Sequence, residues 1–217
     1  MADTTYTVGT DKTYSTIQSA IDDIPGTPSG VQTVEIYAGG TSNVYDGFDA
    51  RTGFTCNASD HLFITGMLES DGTAGSMVMV DSHGYTSGAD KAAIGIADHT
   101  DIENIEVKDY SDSANTVGIW GYDNCIIRNC IVHDISNSSS GKWLVCIAAT
   151  TNSRIYNCIV YDCNSYNNYS IGIQAGGTSY VGNNTVYNIH TGTAWGIRRT
   201  GNGNNHNNMS FDCGSSD

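Results

Sequence analysis

At 217 residues the chain has room for one domain or two, and it carries 23 acidic side chains against 9 basic ones, a formal net charge of −14. Such a balance lacks the basic footprint that nucleic acids and anionic membrane surfaces require, so both are excluded as partners, and neutral glycans, cations and other proteins remain. Only 15% of residues are charged while glycine alone accounts for 25, a composition that suits a turn-rich β structure with polar outer faces.

In chain order, Met1-Ala2-Asp3-Thr4-Thr5 has neither the basic start nor the apolar core of a secretory signal, and no run approaches membrane-spanning length. Residues 1–12 are polar and read as loosely paired or extended. Residues 15–24 are the one convincing helix: Ile17, Ala20, Ile21 and Ile24 fall on one face, Ser15 can cap the start, and Pro25-Gly26 stops it. This helix is expected to lie across the open end of a stack of strands, shielding an apolar interior and a bare strand edge. Residues 31–100 hold irregular strands at Val34–Tyr37, Leu62–Thr65 and Met77–Val80, with scattered histidines at His61, His83 and His99 whose spacing specifies no metal site.

From Ala92 onward a repeat sets in. Asn104, Asn129, Asn157, Asn183 and Asn208 recur at spacings of 25, 28, 26 and 25, each followed three residues later by an apolar residue: Val107, Val132, Val160, Val186 and Phe211. Two residues before them stand Ile102, Ile127, Ile155, Val181 and His206. A second signal returns at Gly95-Ile96, Gly118-Ile119, Cys146-Ile147, Gly172-Ile173 and Gly196-Ile197; from the later four, the distance to the next anchor Asn is 11, 11, 11 and 12 residues. One half of the repeat is therefore rigid, and the other, including residues 136–142 and 164–169, carries insertions as loops. A period near 25 residues without helical periodicity specifies a single all-β domain, a right-handed parallel β-helix, in which the asparagines form one structural ladder at a turn needing left-handed backbone. On this reading residues 1–30 supply a strand and the cap helix, and 31–217 the coils. The chain stops just after an anchor pattern with no capping element, so either it is a fragment or another chain covers that end.

The stretches TYSTIQSAIDDIP and VQTVEIYAGGTSNVYDG resemble the N-terminal cap and first coil of the pectin lyase-like superfamily, pectin methylesterases in particular. The resemblance covers about 35 residues and implies the β-helix fold and a leaning towards polysaccharides. The glutamine, aspartate and arginine motifs of pectin methylesterases are not found, nor are the Asn-Thr-Asp, Gly-His-Gly and Arg-Ile-Lys motifs of polygalacturonases. In that superfamily the substrate lies along the sheet preceding the rigid half-repeat, which here corresponds to the Gly/Cys-Ile strands. With Ile119, Ile147, Ile173 and Ile197 facing inward, alternation turns Trp120, Ala148, Gln174 and Arg198 outward, where Trp120 can stack on a sugar ring and Gln174 and Arg198 can bond its hydroxyls or a uronate. This column holds no carboxylate to serve as acid or base.

A second column, Asp109, Asp134 and Asp162 with Asn188 next, stands five residues after the anchors. Stacked one coil apart, these carboxylates need turn amides, raised pKa values or bound calcium to offset their repulsion. The column before it, Lys108, His133, Tyr161 and Tyr187, is chemically mixed. The seven cysteines, Cys56, Cys125, Cys130, Cys146, Cys158, Cys163 and Cys213, have no paired metal-ligand spacing and read as small core residues. Two functions fit: a non-enzymatic virion or extracellular surface protein of the phage spike, fibre or decoration type, with polysaccharide or other virion and surface proteins as partners and a homotrimer as one assembly; or a polysaccharide lyase or glycoside hydrolase.

Overall fold

Short β-branched runs, each ended by a residue that accepts left-handed backbone, stack coil upon coil into three parallel sheets. The computed structural model describes residues 3–37, 44–50, 55–67, 78–81, 85–87, 90–166, 168–190 and 192–214. Among these, the first sheet has eight strands, running from Thr4–Val8 through Gln32–Tyr37, Leu62–Met67, Thr100–Glu103, Ile126–Arg128, Arg154–Tyr156 and Tyr180–Gly182 to Asn204–His206. The second includes Ile105–Val107, Ile131–His133, Ile159–Ser165, Thr185–His190 and Met209–Gly214, and the third Asp90–Ile96, Asn115–Gly121, Leu144–Ala149, Tyr169–Gly176 and Thr193–Thr200. One antiparallel strand, Tyr85–Ser87, joins the third sheet. The chain is thus an all-β parallel β-helix.

Every sheet sends one column of side chains inward. Ile102, Ile127, Ile155 and Val181 from the first, Val107, Val132, Val160 and Val186 from the second, and Ile94, Ile119, Ile147 and Ile173 from the third are completely buried. The N-terminal strand expected in residues 1–30 is Thr4–Val8, which pairs in parallel with Gln32–Tyr37 as the first rung. The helix α1 spans Ile17–Asp22, shorter than residues 15–24, and its cap is Thr16 rather than Ser15: the Thr16 hydroxyl accepts from the Ser19 N–H at 3.1 Å. Ile17, Ala20, Ile21 and Ile24 are buried as their spacing requires, and α1 packs against the strands Thr4–Val8, Gln32–Tyr37 and Phe48–Ala50. Of the early strands, Met77 and His83 lie outside the described residues; Val78–Val80 pairs with Ile105–Val107.

The anchor column is real, with its last rung displaced. Asn104, Asn129, Asn157 and Asn183 have φ of 52–58°, and the fifth left-handed residue is Asn207, at 49°, not Asn208. Backbone pairing agrees, since Gly182 stands beside His206 and Thr185 beside Met209. Hence Asn205 matches Val181, Ser210 matches Val186, and Phe211 continues the column of Tyr187. The other end of the repeat shifts likewise: Ile94, not Ile96, pairs with Ile119. With both corrections the rigid half is eleven residues long in all five coils, from Ala93, Gly118, Cys146, Gly172 and Gly196 to the left-handed Asn.

Asn208 belongs to an inner ladder one position later, with Ile105, Cys130, Cys158 and Asn184. The Asn208 side-chain oxygen accepts from the Asn184 N–H at 3.0 Å and from its amide at 2.9 Å, while the Asn208 amide donates to the Val181 carbonyl at 2.9 Å. Asn184 repeats this, accepting from the Cys158 N–H at 2.9 Å and donating to the Ile155 carbonyl at 3.0 Å. A further ladder that the sequence did not reveal closes the turn into the first sheet: Cys125, Ser153 and Ser179 each donate to a carbonyl of the coil before, on Ala97, Tyr122 and Thr150.

These two asparagine columns hold the coils differently. Asn157 is exposed and its amide donates to Asn129 at 3.3 Å, so Asn157→Leu should lose chiefly the left-handed preference, about 1–2 kcal/mol. Asn184 is buried, and Asn184→Leu leaves the Cys158 N–H and Ile155 carbonyl unpaired, so it should cost about 3 kcal/mol or more. Chemical denaturation of both variants checks the order; a larger loss for Asn157→Leu would contradict this division of labour.

Candidate functional site

The outer face of the third sheet concentrates chemistry that the core leaves free. Trp120, Ala148, Gln174 and Arg198 stand in one register column, half-buried and on the outside, with Gly95 preceding them. Strict alternation breaks just before this column. Gly118, Cys146 and Gly172 are skipped in the pairing, and a Cβ on Gly172 would strike Val186 and the Gly196 carbonyl, so this position faces the core along with the isoleucine after it. The residues before it, Ala92, Val117, Val145, Ile171 and Trp195, consequently turn outward.

All but Trp195 are nevertheless buried, and Ala92 and Val117 form a small apolar cluster with Trp120, Trp143 and Ala148. Trp120 meets Tyr122 at 6.5 Å and Trp143 at 6.4 Å between centroids; Trp143 stacks on Tyr169 at 6.3 Å and 1°; Tyr169 meets Trp195 edge-on at 6.0 Å. Each such contact contributes about 0.5–1.5 kcal/mol beyond the area it buries. The Arg198 guanidinium lies 4.9 Å over the Trp195 ring and 5.9 Å from that of Tyr169. All three tryptophans of the chain are in this stripe. Of its members, sequence reading picked out Trp120, Gln174 and Arg198 and missed Trp143, Tyr169 and Trp195.

Carboxylates fringe the face and are already engaged. Asp90 accepts from the Asn115 amide at 2.7 Å, Asp123 from Thr150 and Thr151, and Asp112 pairs with Lys91 at 3.2 Å. Burial works to raise the pKa of Asp112, but the Ala114 N–H and the Lys91 ammonium outweigh it and hold the group below the usual carboxylate range.

The acidic column forms its own ladder at a bend within the second sheet, Asp162, Asn188 and Asp212 falling inside their strands. Asp109, Asp134, Asp162, Asn188 and Asp212 all have left-handed φ of 49–54°. Their mutual repulsion is offset locally: Lys108 approaches Asp109 at 3.6 Å, His133 bonds Asp134 at 2.7 Å, and the Asn188 amide donates to Asp162. Among the described residues no three His, Cys, Asp or Glu side chains gather in a metal-binding geometry. Beside this ladder His133, Tyr161, Tyr187 and Phe211 stack face to face at 4.6–5.2 Å, and the second imidazole nitrogen of His133 meets Glu106 at 2.8 Å. His61 and His99, distant in sequence, line one cleft of about 200 Å³ with Asp101, whose pKa is raised by burial. Cys130 and Cys125 are poor nucleophiles: contact with the Cys158 thiol and burial push Cys130 up, and burial takes Cys125 to about 12.

No family model matches the chain, and no curated protein does. Among solved structures it is similar to the pectin methylesterase from Aspergillus niger, in deglycosylated and penultimately deglycosylated forms, at 13% identity, with TM-scores of 0.46 and 0.45 over 95% of this chain and 85% of that one. It is also similar to the alginate lyase from Paenibacillus sp. str. FPU-7, at 14% identity and a TM-score of 0.35, over 95% of this chain and 99% of that one. The fold itself is the parallel β-helix that the cap and first coil lead one to expect. Likeness at this level concerns the fold and carries no activity across.

The Asp112–Lys91 pair gives the face a pH dependence. A carboxyl whose folded pKa is depressed stabilises the fold above its unfolded pKa, and that contribution is lost as pH falls through the folded value. Melting temperature should therefore drop between about pH 5 and pH 3, and Asp112→Asn should shrink that drop by a few degrees. An acid limb unaltered in the variant would show that Asp112 does not contribute to it.

Proposed function

We propose that this chain is a non-catalytic polysaccharide-binding β-helix of the virion or extracellular surface kind, with the third sheet's outer face as its binding surface. The reading is carried by one observation: Trp120, Trp143, Tyr169 and Trp195 make a continuous aromatic track over four successive coils, capped by Arg198. Such a track buries apolar faces and leaves ring surface to pack on the C–H faces of sugars. Gln174 adds an amide that has no hydrogen-bond partner among the described residues. Binding without turnover is favoured because the column that runs from Asp49 through Gly95, Trp120, Ala148 and Gln174 to Arg198 holds a single carboxylate rather than a pair, correcting the expectation that it holds none, and the carboxylates at the fringe are held by Asn115, Lys91 and Thr150.

A panel of neutral and acidic polysaccharides, branched and linear, tests this by affinity electrophoresis and by reducing-end assay. At least one glycan should retard the protein, Trp195→Ala should weaken that binding about tenfold or more, and no reducing ends should appear. Turnover abolished by Arg198→Ala would place the lyase or hydrolase reading first.

A further inference from the structure

The outer face of the first sheet carries a groove of about 670 Å³, where Asn152, Arg154 and Tyr156 meet Tyr180 and Asn204 of the next two coils. We infer that this groove is a second site, one that takes the sulfate ester of a sulfated sugar. Local backbone makes the space. In the strand Arg154–Tyr156, alternation turns Arg154 and Tyr156 outward on either side of the buried Ile155, and in the next coil Gly182 stands beside Tyr156. A Cβ on Gly182 would strike the Tyr180 ring, so that ring lies along its own strand over Gly182, stacked on His206 at 5.8 Å, and the room beside Arg154 stays open.

The bonds already made around the groove fix what it has left to offer. The Tyr156 hydroxyl accepts from the Arg128 guanidinium at 3.1 Å, Arg128 being paired with Glu103 at 2.5 Å, so Tyr156 still has its proton to donate. The Asn152 side-chain oxygen accepts from Thr178, which leaves its amide to donate. Arg154 makes no ion pair and no side-chain hydrogen bond among the described residues, and the carboxylate in its register column, Asp101, stands two strands away, about 9.6 Å between backbones. No carboxylate among the described residues lines the groove. It therefore gathers one guanidinium and two neutral donors with their acceptors missing.

That set matches a sulfate ester. Its terminal oxygens can take the planar guanidinium fork together with the Tyr156 and Asn152 donors, and its single negative charge meets the single cation. It carries no proton and so needs no acceptor. A phosphate monoester brings about −1.5 to −2 charges at neutral pH against the same cation, on a molecule whose net charge of −14 repels anions. A carboxylate can satisfy both its oxygens on the fork alone and leaves the other two donors unused. The groove is far larger than one anion, and its tyrosine rings give the attached sugar a surface to pack on.

Glucose 6-sulfate, glucose 6-phosphate, glucuronate, glucose and inorganic sulfate, each titrated calorimetrically into the intact chain, separate the charged group from the body that carries it. Glucose 6-sulfate should bind at one site, about tenfold or more tightly than each of the other four, and Arg154→Gln, at an exposed position, should weaken it about tenfold or more. Trp195→Ala, on the third sheet, should leave that binding unchanged. Glucose 6-sulfate that does not bind, binds Arg154→Gln equally well or loses affinity in Trp195→Ala overturns the inference, and so does equal or tighter binding of glucuronate, glucose 6-phosphate or the free ion. The aromatic face is judged separately, by the polysaccharide panel and its own response to Trp195→Ala.

Discussion

Parallel pairing of each coil with the next is the constraint on which the whole molecule depends. A strand in such a stack must find the same backbone direction one rung away, so each coil must turn three corners and return in register. Two of the corners are made by residues that tolerate positive φ, Asn104 to Asn207 between the first and second sheets and His99, Asn124 and Asn152 between the third and first, while Asp109 to Asp212 bend each coil within the second sheet. Side-chain amides and hydroxyls then serve twice, setting the turn and bonding the coil beside it. The Asn208, Asn184 and Cys158 chain of donors and acceptors is the clearest example.

The same constraint decides what faces out. Inward columns of Ile and Val fill the interior, and the second, smaller apolar layer arises because the bulge at Gly118, Cys146 and Gly172 places two consecutive residues on the inside. The residue before each bulge is forced outward, and at Ala92 and Val117 the rings of Trp120 and Trp143 pack against it. The aromatic track is thus a product of backbone geometry as much as of composition.

Much of this architecture is legible in the sequence. The 25-residue period and four of the five turn asparagines can be read there because each recurs with the same apolar neighbours, and the cap helix because Ile17, Ala20, Ile21 and Ile24 fall on one face. The last rung misleads because Asn207 and Asn208 are adjacent, and only backbone φ distinguishes the turn residue from the inner one. Trp120, Gln174 and Arg198 are legible by alternation from the isoleucine before them. Trp195 is not, since counting back from Ile197 by alternation turns it inward, and the bulge at Gly196 reverses that. Trp143 immediately precedes its strand and Tyr169 opens its own, both at the border of a variable segment, where no period applies. The pairings that relieve the aspartate column, through Lys108, His133 and Asn188, depend on side-chain placement that spacing does not encode.

The fixed eleven-residue segment beside a segment of free length makes the coil tolerant of change on one side only. Lengthening residues 138–142, between the short strand Ser136–Asn137 and the strand Leu144–Ala149, leaves every rung where it is. Removing one residue between Cys146 and Asn157 would instead turn that coil's inner and outer columns over, setting Ile155 towards water and Tyr156 towards the core. New recognition loops can therefore accumulate along the edge of the aromatic track while the scaffold beneath it stays the same.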